Sequence, residues 1–287
     1  MKMIEPLQKD EVLLADIRNS IVPPEQWRMW WLGQSGFLIK WEDRYCLLDP
    51  YLSDSLTTKY ANSDKPHIRM TERVLDPDRL DFVDVVTSSH NHTDHLDGET
   101  LRPLARVNQN LAMIIPEANR SFVAKRLQCD LTWPIGMTDG SKCEVRGFEF
   151  FGIPAAHEDL ETDEFGQHRF MGYVISFGDW SVYHSGDTLL YEGMVERLKP
   201  WNVDVALLPI NGRDPSRRVA GNLNGAQAAQ LAKDIGARLV IPCHYDMFTF
   251  NTASPDGFIA ACSELNQRYY VMQNGEGLSS PSIQVSP

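Results

Sequence analysis

Long apolar runs are missing from this 287-residue sequence. No window approaches the ~18 consecutive apolar residues of a membrane-spanning helix, so no membrane is expected among its partners. The opening stretch Met1-Lys2-Met3-Ile4-Glu5-Pro6-Leu7 has no apolar core and meets acids early, and no secretory signal is expected there. Positive charge is also short: 27 Lys and Arg against 39 Asp and Glu leave a formal charge of -12, with a pI near 5.1. A surface for nucleic acid needs clustered cations facing the phosphates, and this global field repels polyanions. The five cysteines, Cys46, Cys129, Cys143, Cys243 and Cys262, are odd in number, widely spaced and form no C-x-x-C pair. They predict no disulfide framework and a reduced, cytoplasmic protein. Neither an internal repeat nor a low-complexity segment is present. What the chain does have is core-forming material, 43% hydrophobic and 10% aromatic. That is ample for one domain over 1–287 with an N-terminal helical arm over 1–25.

Histidine is scarce too, with 8 in the chain, yet three of them fall within six positions in Ser89-His90-Asn91-His92-Thr93-Asp94-His95. The β-branched run from Val83 to Thr87 leads into this cluster as a buried strand, and a helix is expected to start near Asp97. Imidazole nitrogens and carboxylate oxygens are ligands for zinc, manganese or iron, and the end of a strand holds such groups at fixed separations. Side-chain alternation along an extended segment predicts His90, His92 and Asp94 on one face and His95 on the other. That offset suits two neighbouring cations better than one.

The remainder divides into strands and helices. A helix is expected over 8–19, then an antiparallel meander of three strands: Arg28 to Gly33, Gly36 to Trp41 and Arg44 to Asp49. Residues 52–74 are polar and aperiodic and predict a surface loop. After the histidine cluster come a helix from Gly98 to Val107, a strand from Leu111 to Pro116 and a helix from Glu117 to Leu127. Two antiparallel runs, Cys143 to Phe151 and Ile153 to His157, precede a hairpin of Phe170 to Phe177 with Trp180 to His184. Strands from Val203 to Ile210 and Arg238 to Cys243 then alternate with helices over 191–198, 224–235 and 254–266. The pattern fits an αββα sandwich, two mixed sheets face to face with helices on both outer faces. Polar residues recur at the ends of strands, namely Asp49, His90, His157, Asp187, Asn211 and His244. Their recurrence predicts one cleft along a single edge of the sheets.

The motif His90-x-His92-x-Asp94-His95, followed in order by His157, Asp187 and His244, resembles the metallo-β-lactamase superfamily over essentially the whole chain. The resemblance implies that His90, His92 and His157 hold one divalent metal ion. It further implies that Asp94, His95 and His244 hold a second, with Asp187 bridging. Zinc or manganese is expected, and iron is compatible with the same ligands. Two such ions less the two catalytic carboxylates, Asp94 and Asp187, leave a site that attracts anions. They make hydroxide available at neutral pH and polarise the oxygen under attack. An ester, lactone, amide or phosphodiester is open to that chemistry.

Three further segments look like the L-ascorbate-6-phosphate lactonase branch of that superfamily. They are Met29-Trp30-Trp31-Leu32-Gly33, Tyr183-His184-Ser185-Gly186-Asp187, and Leu239-Val240 leading into Ile241-Pro242-Cys243-His244-Tyr245-Asp246; Val74-Leu75-Asp76-Pro77 is similar as well. The segment Ala155-Ala156-His157 instead follows the general superfamily. The branch implies a hydrolase opening a sugar-derived lactone, a small anionic substrate and a possible homo-oligomer. Asp49 is expected to orient a ligand histidine or to cap a turn. His184 is expected behind a ligand or in the core. Asn211 and Arg213 lie just past a strand end, where an Arg fork would take a phosphate or carboxylate; a solvated loop tip is the plain alternative. Tyr245 lines the pocket or packs. Against the hydrolase stand a phosphodiesterase of the same fold, a diiron oxidoreductase, which normally carries an acid where His92 stands, and an inactive scaffold, which normally has lost ligands.

Overall fold

The computed structural model describes residues 2–280. In the first sheet the chain contributes β1 (Trp27–Gly33), β2 (Gly36–Trp41), β3 (Arg44–Leu48), β4 (Val85–Thr87), β5 (Ala112–Pro116) and β6 (Pro134–Met137). The second sheet holds β7 (Lys142–Val145), β8 (Phe148–Pro154), β9 (Met171–Phe177), β10 (Trp180–His184), β11 (Val205–Pro209) and β12 (Leu239–Cys243). A last strand, β13 (Gly277–Ser279), returns to the first sheet and pairs antiparallel with β1. The orders are β13-β1-β2-β3-β4-β5-β6 and β12-β11-β10-β9-β8-β7. Each sheet is part meander and part parallel, as expected of crossover helices mixed with hairpins. Pro242 fits inside β12 because that strand is an edge, where a missing N–H breaks no ladder.

The helices are α1 (Asp10–Asn19), α2 (Ser55–Lys59), α3 (Gly98–Val107), α4 (Arg120–Leu127), α5 (Met194–Leu198), α6 (Gly225–Asp234) and α7 (Asp256–Glu264). Alternation decides where each side chain goes. Trp30, Leu32, Leu38, Leu47, Val86 and Met113 face outward and bury against Leu13, Leu14 and Ile17 of α1, Leu101 and Leu104 of α3, and Val123 and Leu127 of α4. Trp27, Met29, Trp31, Phe37, Ile39 and Leu48 face inward, onto Phe148, Phe150, Tyr173, Ile175 and Phe177 of the second sheet. Ala228, Leu231 and Ala232 of α6 with Phe258 and Cys262 of α7 cover the far face of that sheet. The architecture is therefore the αββα sandwich, and the N-terminal arm is part of its outer layer. Of the domain assigned to 1–287, residues 1 and 281–287 lie outside the described residues.

Several boundaries differ from those expected. The hairpin in the second sheet turns at Arg146-Gly147, both with positive φ, so β8 runs unbroken from Phe148 through Gly152 to Pro154. The short strands β6 and β13 carry too little periodicity to be read locally; they exist because neighbouring strands offer them ladders. Residues 52–74 are not wholly loop, since α2 forms there. Among the described residues no helix is long and apolar enough to cross a membrane.

Candidate metal centre

Each site residue emerges at the end of a strand or from the turn beyond it. Gln34 lies in the β1–β2 turn, Asp49 follows β3, and the 90–95 segment follows β4. His157, Asp187 and His244 come after β8, β10 and β12 of the opposite sheet. The sheets are tied together beside the site by hydrogen bonds as well as by apolar packing. Met171 N donates to Ser89 O at 3.0 Å and His244 N to Gln34 O at 3.1 Å, while Tyr173 Oη donates to Ser88 O at 3.1 Å. The cleft is thus held at a fixed width by backbone atoms of both halves.

Two groups of potential ligands face one another in that cleft. His90, His92 and His157 form one; Asp94, His95, Asp187 and His244 form the other. Within each group the ligand atoms all lie within 4.8 Å of one another. Asp187 sits between the groups. Its Oδ1 is 3.3 Å from His95 Nε2, and its Oδ2 is 3.3 Å from His244 Nε2 and 3.7 Å from His157 Nε2. One prediction from strand geometry fails here. Asp94 belongs with His95, not with His90 and His92, because the segment is not extended. His95 N and Leu96 N both bond to His92 O, which turns the chain between His92 and Asp94.

The hydrogen bonds behind the histidines decide which nitrogen faces the cleft. Gly221 O can only accept, so His157 Nδ1 donates to it at 2.8 Å. Asp49 Oδ2 accepts from His95 Nδ1 at 2.7 Å. Ser89 Oγ already donates to Asp49 Oδ2, so at 3.0 Å it accepts from His90 Nδ1. In the neutral form of all three rings the Nε2 lone pair is left pointing into the cluster, the tautomer a metal ligand requires. Buried polar atoms nearly always have partners, yet His90 Nε2, His95 Nε2 and Asp187 Oδ1 are buried with no hydrogen bond. These orphaned atoms converge on one cleft, and the residues fit divalent cations.

Charge in the cleft is strongly perturbed. Burial alone would raise the pKa values of Asp94 and Asp187, but the neighbouring His95 and His244 hold both carboxyls well below the usual range. Burial works against a charged His244 as well, yet Asp187 and Asp94 hold its imidazolium up to about 9, and His95 is raised by the same two carboxylates. His90 moves the other way, pushed well down by burial and by His95 and His92.

The other expected residues are placed as follows. Asp49 is fully buried and receives Thr87 Oγ1 at 2.7 Å and Ser89 N at 3.0 Å in addition to His95. His184 is buried beneath the turn and donates from Nε2 to Ser35 O at 3.0 Å. Asn211, Arg213 and Tyr245, expected at the substrate, do not line the cavity over the cluster. Asn211 is buried in an amide network with Asn222 and Asn251. Tyr245 is 2% exposed and packs on Trp31 with ring centroids 4.5 Å apart. Arg213 is held by Glu158 at 2.7 Å, whose other oxygen accepts from Gly221 N at 2.7 Å. Arg213 is therefore tied to the segment after β8 that holds His157.

Three residues were not singled out in the sequence. Gln34 Nε2 donates to Asp94 Oδ2 at 2.8 Å and lies 2.9 Å from His244 Nε2. Its only sequence signal is a polar side chain in the tight turn between two buried strands. Lys59 and Arg126 line the cavity, and nothing local to either position marks it.

The cavity above the cluster has a volume of about 360 Å³. Comparison with known proteins agrees with this arrangement. A model of the beta-lactamase superfamily domain matches residues 44–245. A UPF0173 metal-dependent hydrolase of Methanopyrus kandleri is 32% identical over 83% of this chain and 92% of its own length. A probable L-ascorbate-6-phosphate lactonase of Shigella boydii is 25% identical over 85% of this chain and 76% of its own. Among solved structures, a possible metal-dependent hydrolase of Veillonella parvula shares the fold with a TM-score of 0.71 at 15% identity, covering 90% of this chain and 99% of its own. The matched span takes in all seven side chains of the cluster, and the chain belongs to the metallo-β-lactamase superfamily.

Proposed function

We propose that this chain is a metal-dependent hydrolase that opens a small anionic metabolite, such as a sugar-phosphate lactone, with two divalent cations, zinc or manganese, held by the seven side chains. One observation carries the reading: the buried, unpartnered Nε2 atoms of His90 and His95 and Oδ1 of Asp187 converge between two ligand groups that share Asp187. Divalent cations bound there would supply an acidified water as nucleophile and a Lewis acid for the oxygen under attack.

The protein supplies the rest. Asp49, Gly221 O and Ser89 fix the ring tautomers, and Gln34 holds the carboxylate of Asp94. Phe170 packs against His90, His92 and His157 with centroids 5.2, 6.0 and 5.5 Å away and gives that group an apolar side, with His92 left open to solvent. Two divalent ions less two carboxylates leave a net positive floor in an acidic protein, so an anionic small molecule is favoured over nucleic acid. The probable L-ascorbate-6-phosphate lactonase relative supports the lactone class. Five free thiols support a cytoplasmic setting.

The test is to strip the protein with chelator, reload it separately with manganese and with zinc, and assay L-ascorbate 6-phosphate alongside phosphodiester and carboxylic ester substrates. Restored lactone opening that His92→Ala abolishes is the expected result. Turnover indifferent to both chelation and His92→Ala would remove the metal mechanism. Turnover of the phosphodiester alone would replace the lactonase with a phosphodiesterase.

A further inference from the structure

We propose that Lys59 and Arg126 form the subsite that takes a phosphate monoester group on the substrate, a specificity device that rests on the hydrolase reading of the adjoining cluster. Both side chains line the cavity with His92, Asp94 and His157. They reach it from different elements: Lys59 ends α2, and Arg126 lies in the last turn of α4. Both then meet the ligand segment itself. Lys59 Nζ is 3.4 Å from Thr93 Oγ1. Arg126 Nη1 donates to Asn91 O at 2.7 Å and Leu96 O at 3.2 Å.

What sets these cations apart is the lack of an acid. Among the described residues Lys59 and Arg126 are the Lys and Arg side chains that line the cavity, whereas Arg69, Arg213, Arg217 and Arg218 beyond it pair with Asp54, Glu158, Asp214 and Asp64. Among the described residues neither Lys59 nor Arg126 has a carboxylate within ion-pair distance. Lys59 and Arg126 thus bring two positive charges to one cavity of a chain that has 39 acids to 27 bases. Asp97, the acid whose charge Arg126 feels, is already occupied by Ser55 Oγ, Thr100 Oγ1 and Glu99 N. Burial pushes the Arg126 guanidinium down, a cost that an incoming anion would relieve.

Arg126 is also held ready. Its guanidinium stacks on Phe122 at 4.4 Å, and Nη1 is committed to the two carbonyls. Nε and Nη2 have no protein partner among the described residues, and together they present the edge that grips two oxygens of an anion. Two unpaired cations match a phosphate monoester, which carries about −1.5 to −2 at neutral pH, better than a singly charged carboxylate. Leu56, Tyr60 and Phe248 also line the cavity and offer an apolar face to the uncharged body of the substrate.

The experiment compares binding of L-ascorbate 6-phosphate and of L-ascorbate to the metal-loaded protein by calorimetry at low salt, in wild type, Lys59→Gln and Arg126→Lys. Metal content is measured for each protein. Wild type is expected to bind the phosphorylated ligand at least about tenfold more tightly than its parent, the size of a charge-assisted contact. Both variants should keep their metal and lose most of that gap, while binding of unphosphorylated L-ascorbate stays within about twofold. Arg126→Lys keeps the charge but not the fork, so a loss there identifies geometry as well as charge. No phosphate-dependent gap in wild type, or a gap undiminished in both variants, overturns the subsite. Failure of the hydrolase reading looks different, as absent metal or absent turnover, and binding is scored independently of both.

Discussion

Asp49 and His95 are both fully buried and share a 2.7 Å hydrogen bond, with the carboxylate behind the ring and the ring's Nε2 facing the cleft. Burial alone would raise the Asp49 pKa, but the charges of His184 and His95 keep it below the usual carboxylate value, so it remains an acceptor. Its backbone has φ 38, a conformation that Asn tolerates. Asp49→Asn should therefore fold, yet it turns an amide toward donors from His95 and Ser89. Metal affinity should fall about 10–100-fold, the usual cost of losing such a partner. Titration of the stripped variant with zinc, with circular dichroism as the check on folding, decides the matter; unchanged affinity would make Asp49 a packing residue.

Gln34 touches Asp94 and His244 with one amide nitrogen and receives the His244 N–H at its carbonyl. Both contacts fall on the Asp94–His95–Asp187–His244 group. Gln34→Ala removes the first and keeps the second. Affinity at that group should drop about tenfold while the His90–His92–His157 group is spared. Two-site metal titration separates the outcomes, and equal weakening of both groups would show a general loosening of the cleft.

The seven residues His90, His92, Asp94, His95, His157, Asp187 and His244, which the superfamily resemblance points to in the sequence, are brought together in one cleft because they follow the ends of neighbouring strands. The resemblance also implied the two groups seen in the cleft, whereas strand alternation alone did not. Alternation fails between His92 and Asp94 because a turn, invisible to a period of two, intervenes. The substrate side was less legible still. Arg213 follows a strand end, but Glu158, distant in sequence, claims it. Lys59 and Arg126 reach the cavity only because α2 and α4 pack beside the ligand segment, and no local pattern encodes that. Arg213→Ala should accordingly change stability little, as an exposed ion pair, and leave discrimination between phosphorylated and plain ligands intact.

Protons and metal compete for the same nitrogens. In the metal-free cleft Asp187 and Asp94 hold His244 up to about 9 and raise His95 also, so at pH 7 the His244 ring is charged. Metal takes neutral imidazole, and binding at pH 7 should release at least one proton, with apparent affinity climbing until pH about 9. Calorimetry in buffers of different ionisation enthalpy counts the protons. The stability of the metal-free protein follows the same sign. A pKa raised in the folded state stabilises fully below the unfolded value of about 6.5 and is lost as pH rises toward 9. The metal-free protein should therefore lose stability across that window while the metal-loaded protein does not. Parallel melting curves would contradict the charged ring.

Gly186 precedes Asp187 and packs against Ser89 of the opposite half. Its φ is +59, and a Cβ there would lie 2.6 Å from Ser89 Cβ and 2.7 Å from Ser89 Oγ. Gly140 has nearly the same backbone, φ +69, with nothing within 4 Å of a Cβ. Comparing the two alanine variants separates conformation from crowding. Gly140→Ala pays only the left-handed strain, about 1–2 kcal/mol. Gly186→Ala adds overpacking of about 1–3 kcal/mol, and it pushes on Ser89, which bonds Asp49 and His90. It should lose both stability and metal affinity, whereas Gly140→Ala should lose stability alone. If the two variants melted together and bound metal alike, the close approach at Gly186 would not be what holds Asp187 in register with the histidines.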